Sequence, residues 1–182
     1  FIAMQYTGMA MAGMPFMGVG RNLAYRKSAF MKNKGFGPHI NLQSGDDDLF
    51  VNQLARKDNT RVNLSPDSFT RSIPAKTVKE YIKQKTRHMS TASLYRNVTK
   101  FLLITEPVSR VLFYSLLLVL LLITDLYIPV GILASLLVLV KIIVLALAQK
   151  NLKERDLLVF SLFFDIISPF INVYLLLNVA FK

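Results

Sequence analysis

The chain has 182 residues, 53% of them hydrophobic and 18% charged, and its 22 Lys and Arg against 11 Asp and Glu leave a formal net charge of +11. It contains no cysteine, which excludes a disulfide framework and any thiolate metal site. The basic residues are not interleaved with aromatic stacking positions and no zinc-finger spacing occurs, so no nucleic acid is expected as a partner.

The apolar excess is uneven. Residues 1–110 hold 17 basic and 7 acidic residues, whereas residues 111–182 hold 5 and 4 and are mostly Leu, Val, Ile and Phe. A basic polar part and a membrane part are therefore expected to join near Arg110. Positive charge beside membrane spans suits the cytoplasmic side and contact with anionic lipid.

Residues 1–20 carry no charge but include Gly8, Gly13, Pro15, Gly18 and Gly20. So many breakers predict a loosely helical start and then a short buried strand, not a span. The chain starts at Phe1 with no basic n-region, which argues against a signal peptide and for a chain cut from something longer. In GVGRNLAYRKSAF (18–30), the glycines allow a close backbone approach. NLAY reads as a strand, and Ser28 as the cap of a short turn or helix. The third glycine of a dinucleotide-binding fingerprint is absent.

SGDDDLF (44–50) places three carboxylates in a row in a chain poor in acids. LFVNQLARKD (49–58), apolar at 50, 51, 54 and 55, predicts a helix starting beside them. One or two of the aspartates would then serve as cap and dipole partners. Mutual repulsion would also raise at least one pKa toward the range of a useful base, or the cluster could hold a hard cation. Both readings stand on chemistry alone. RVNLS (61–65) is a strand candidate ended by Pro66. A helix is expected over PAKTVKEYIKQKTRHMS (74–90), with Gln84, Arg87 and His88 on one face, a set suited to phosphate or sugar hydroxyls. Its lysines, Lys76, Lys79, Lys83 and Lys85, suit a helix lying on a membrane surface.

Three apolar stretches follow, about 111–128, 130–148 and 157–181, each long enough for a hydrocarbon core of roughly 30 Å. Pro129 and Gly131 are expected in the first turn, and Pro169 is expected to break or kink the third segment. Lys150, Lys153 and Arg155 place the 149–156 loop in the cytoplasm. Lys141 and Asp165 lie within spans, where a charge marks either a functional path or a pair between helices.

GVGRNLAYRK, then SGDDDLF, then QKTRH, followed at once by membrane helices, resembles the membrane-bound family 2 glycosyltransferases. The resemblance covers most of residues 15–110 and the membrane tail. It implies an α/β fold, the C-terminal fragment of a GT-A nucleotide-sugar transferase domain over residues 1–100, then an all-helical membrane region of about three segments over 101–182. Asp47 matches the base that deprotonates the acceptor hydroxyl, and Asp46 its acidic predecessor. Gln84 and Arg87 match the Q and R of a Q-x-x-R-W motif beside acceptor and diphosphate. Arg21, Asn22 and Arg26 lie in the block lining the acceptor side. His88 stands in place of the motif's tryptophan and offers less stacking area, which implies lower processivity.

The implied reaction is inverting transfer from a nucleotide-sugar donor to a glycan or lipid-linked acceptor, at the cytoplasmic face of the inner (plasma) membrane. A divalent metal, Mg2+ or Mn2+, is implied for the intact enzyme, with its ligands outside this segment. No D-x-D stands before Gly45, and Asp46 and Asp48 spell one that overlaps the base motif. The fragment alone is therefore expected to be inactive. The alternative from another class is a non-enzymatic membrane protein or transporter fragment, with Lys141 and Asp165 in its path.

Overall fold

The computed structural model describes residues 2–37, 40–42, 44–154 and 157–180. Arg155, Phe181 and Lys182 lie outside the described residues. Seven α-helices occur among those described: α1 (Ile2–Met11), α2 (Lys27–Lys32), α3 (Asp48–Leu54), α4 (Val78–Ala92), α5 (Asn97–Ile123), α6 (Tyr127–Asn151) and α7 (Leu158–Ala180). Two compact units form, Phe1–Lys100 with Tyr174–Lys182, and Phe101–Val173.

The α/β expectation is overturned, because no strand or sheet occurs among the described residues. The segment after α1 is buried as anticipated, with Pro15, Phe16 and Gly18 inside. It pairs with side chains instead of a neighbouring strand: Arg96 Nη2 donates to the Pro15 carbonyl at 3.0 Å and Asn52 Nδ2 to that of Phe16 at 3.1 Å. NLAY opens in a 3-10 turn, Gly20–Asn22, and continues without a ladder. RVNLS alternates between exposed and half-buried positions with no partner strand. Alternation reports a half-buried face and cannot by itself supply the second strand that a ladder needs.

Helix α3 forms where the apolar spacing places it. Its first five residues, Asp48 to Asn52, are all buried. It stops because Asn59 substitutes for the next turn, accepting from the Arg56 N–H at 2.7 Å and donating to the Leu54 carbonyl at 2.9 Å. Leu49, 1% exposed, and Phe50, 4% exposed, anchor the core of this unit, each worth about 1.5–3 kcal/mol when fully buried. Tyr25, Phe30 and Phe36 pack around Phe50, with ring centroids 4.7, 5.9 and 6.2 Å from it. Helix α4 starts at Thr77, which accepts from the Glu80 N–H at 3.2 Å, while Glu80 reaches back to the Lys76 N–H at 3.0 Å. These reciprocal bonds satisfy donors that the first turn leaves open.

Helices α5, α6 and α7 are each long and apolar enough to cross a membrane. The first connection falls at 124–126, ahead of Pro129 and Gly131, which lie inside the start of α6. A proline in the first helical turn removes an N–H that has no partner there, so it belongs to the helix and not to the turn. Helix α7 runs through Pro169 without a break. In the second unit Asp165, 4% exposed, takes an ion pair from Lys141 on α6 and a hydrogen bond from Tyr114 on α5 at 2.7 Å. Arg110 on α5 stands 3.4 Å from its other oxygen and also pairs with Glu106. Lys141 and Asp165 therefore form a pair between two helices of membrane-spanning length.

Candidate active site

Local geometry separates the three aspartates. Gly45 takes φ +101°, a turn that glycine adopts without strain, and its carbonyl accepts from the Leu49 N–H at 3.1 Å. Successive residues then rotate by about 100° as the helix begins. Asp46 is exposed, Asp47 half-buried and Asp48 buried.

Asp47 caps α3, its Oδ1 accepting from the Asp48 N–H at 2.8 Å. Its Oδ2 accepts from the Gly20 N–H at 2.7 Å. Two backbone donors thus hold this carboxylate in one orientation and leave part of its roughly four acceptor positions open. The second bond ties the acidic block to the GVGRN block and brings the loop carrying Arg21 and Asn22 to Asp47. Gly18 makes that approach possible, since a Cβ there would lie 3.0 Å from both Leu23 Cδ1 and Val51 Cγ2.

Asp48 serves the scaffold. Its Oδ1 accepts from the Leu49 N–H at 2.8 Å, and its Oδ2 from the hydroxyls of Thr91 at 2.7 Å and Tyr95 at 2.6 Å. Burial first, and then the adjacent Asp48 carboxylate, push the Tyr95 phenol well above its ordinary range, so it remains a donor. One turn along α3, Asn52 Nδ2 reaches Thr99 as well as Phe16, and its Oδ1 accepts from the Arg96 N–H at 2.9 Å. Asp48 and Asn52 therefore attach the acidic loop to both sides of the α4–α5 junction. A buried polar pair satisfied this fully fixes position as well as adding stability.

Helix α4 continues past residue 88, so Gln84, Arg87 and His88 do share a face. His88 is half-buried. Burial lowers its pKa, Lys85 and Arg87 lower it further, and Asp47 and Asp48 act in the opposite sense. Its ring thus lies within the electrostatic reach of both aspartates. Lys85 is partly buried against the Tyr81 ring, 5.5 Å from its centroid, and burial lowers the pKa of its ammonium. Arg87 and Asp46 are exposed. Arg26, at the N-cap of α2, and Asn22 are exposed, and Gln84 is half-buried. Among the described residues no hydrogen bond or ion pair joins the side chains of Arg26, Asn22 or Gln84 to Asp47.

The residues that sequence reasoning missed are Asp48 as an anchor, Asn52, Thr91 and Tyr95. A polar Asn52 on the buried side of an apolar helix was the available signal for the second of these. No group of three or more His, Cys, Asp or Glu that could hold a metal occurs among the described residues. The acidic run does not fit a cation, since Asp48 turns inward onto two hydroxyls and Asp47 onto two N–H groups.

A family model described as glycosyl transferase family group 2 matches residues 1–177. No curated protein and no solved structure matches the chain.

Proposed function

The chain belongs to glycosyl transferase family group 2, a family of sugar-transferring enzymes, and from that premise we propose that it carries the acceptor side of an inverting nucleotide-sugar transferase. The observation that supports this reading is that three separate sequence blocks meet at the acidic loop: the Gly20 N–H bonds Asp47, and Asp48 next to it bonds Thr91, one turn beyond His88 on α4. In the reaction, Asp47 takes the proton of the acceptor hydroxyl as its oxygen bonds to the sugar C1. The bond from C1 to the nucleoside diphosphate breaks on the opposite face, and the diphosphate leaves with the electron pair. Arg87, exposed on the shared face of α4, is suited to offset charge on that leaving group. His88, Gln84, Arg21, Asn22 and Arg26 would contact acceptor or diphosphate, with Asp46 beside the base.

A glycan or lipid-linked acceptor fits a site followed directly by three helices of membrane-spanning length. The catalytic part, residues 1–100, is assigned to the cytoplasmic face of the inner (plasma) membrane and the membrane part to 101–182. The exposed Lys76, Lys79 and Lys83 favour anionic lipid there. A divalent metal, Mg2+ or Mn2+, belongs to the proposed intact enzyme. The acidic residues here do not fit it.

Asp47→Asn tests the assignment, since asparagine caps a helix about as well as aspartate. The full-length protein in membranes, supplied with a panel of radiolabelled nucleotide sugars, should lose about 10²- to 10⁴-fold in turnover per folded molecule, with donor affinity retained. The rate is divided by folded protein because the amide keeps the cap but cannot also accept from the Gly20 N–H. Turnover equal to wild type would remove Asp47 as the base.

A further inference from the structure

We infer that Asp48, with Thr91 and Tyr95, is a positioning cluster for the transfer: it fixes the distance between the Asp47 carboxylate and the Gln84–Arg87–His88 face of α4. The inference rests on the reading of Asp47 as the base, but it concerns residues to which the family resemblance gives no role.

The geometry is short and closed. Thr91 Oγ1 lies 2.7 Å from Asp48 Oδ2 and 2.7 Å from the His88 carbonyl. A hydroxyl has one proton, so these two acceptors compete for or share it. From Asp47 to His88 the path is one peptide link, one carboxylate and one hydroxyl. Tyr95, 6% exposed, supplies a second donor to the same Oδ2 at 2.6 Å and holds the carboxylate on the α5 side. Thr91 is 3% exposed and Asp48 3%, so water does not compete for these bonds. Tyr95 is braced in turn by Phe16, whose ring meets it edge-on at 6.3 Å. A Cβ at Gly45 would lie 3.3 Å from Thr91 Cγ2, so the turn before the aspartates also packs on this threonine. The acidic loop and the end of α4 are therefore held as one piece. A base and an acceptor contact carried on different elements need such a link, because misplacement of about 1 Å can cost roughly 100-fold in rate.

The test uses the full-length protein in membranes and the same nucleotide-sugar assay, with each rate divided by the amount of folded protein recovered in detergent. Tyr95→Phe and Thr91→Val remove one hydroxyl each at nearly constant shape. Each is expected to lower turnover per folded molecule about 10- to 100-fold, and Thr91→Ser should recover most of the rate lost in Thr91→Val. A double-mutant cycle supplies the readout that a purely structural role would not move. His88→Gln should cost much less in the Tyr95→Phe background than in wild type, because the ring has already lost its place. Wild-type rates per folded molecule in both hydroxyl variants, with Asp47→Asn inactive, would overturn the positioning role and leave the base in place. Additive effects of Tyr95→Phe and His88→Gln would likewise overturn it. Full activity in Asp47→Asn would remove the base and this inference together.

Discussion

Arg110 Nη1 donates to the main-chain carbonyl of Asp165 at 3.3 Å, the carbonyl that Pro169, four residues on and without an N–H, leaves unpaired in α7. The same nitrogen reaches Ser168 Oγ at 2.6 Å. A side chain of α5 thus replaces a missing helical donor of α7, which accounts for the continuity of α7 through its proline. Apolar surroundings have no water to do this, so the donor must come from a neighbouring helix.

The same cluster sets an order of sensitivity. Asp165 has three partners, Arg110, Tyr114 and Lys141, so removing the acid leaves two cations without it, while removing Lys141 leaves the acid two partners. Asp165→Asn is expected to destabilise the second unit by about 3–5 kcal/mol, and Lys141→Met by distinctly less. Thermal unfolding in detergent, followed by helical circular dichroism, measures both. Equal losses, or a larger one for Lys141→Met, would contradict the arrangement.

Gly45 should tolerate no side chain. Its φ of +101° is strained for an L-residue, and an added Cβ would fall 2.5 Å from Leu49 Cδ1, in a side chain with no room to retreat. The backbone strain alone costs about 1–3 kcal/mol. Gly45→Ala is expected to lower the midpoint of chemical denaturation by more than Gly8→Ala, where a Cβ meets nothing within 4 Å.

His88 should make stability dependent on pH. Its folded pKa lies below the ordinary 6.5 because of burial, then Lys85 and Arg87. Between those two values the unfolded chain binds the proton more readily, so stability is complete above about 6.5 and is lost as pH falls through the folded pKa. His88→Gln should flatten the dependence of melting temperature on pH below about 6.5. An unchanged slope would show that the ring is not held neutral by its surroundings.

The cysteine-free chain permits a direct test of sidedness. With the positive loop inside, Glu154→Cys and Asp67→Cys should be protected in intact cells from a membrane-impermeant thiol reagent, and Asp125→Cys should be labelled. Labelling of Glu154→Cys from outside would reverse the assignment.

Much of this architecture was legible in the sequence: apolar spacing located α3 and α4, and uninterrupted apolar stretches located three helices of membrane-spanning length. The missing sheet was not legible. The buried segment around Phe16 and residues 61–65 read as strand candidates, and the partners that replaced a ladder, Arg96 and Asn52, are 81 and 36 positions away from Pro15 and Phe16. The acidic run illustrates a different barrier. Three identical residues give no clue to which one turns inward. That depends on where the helix begins, and the glycine turn at residue 45 sets the point.

The span of 81 positions from Pro15 to Arg96 bears on how the protein is made. Domains fold as units during synthesis, yet the Pro15 carbonyl receives this partner only after Arg96 has left the ribosome. Residue 97 opens α5, so that apolar helix is already being translated behind it. The bond that docks the Pro15 segment therefore forms only once synthesis of an apolar helix of membrane-spanning length has begun.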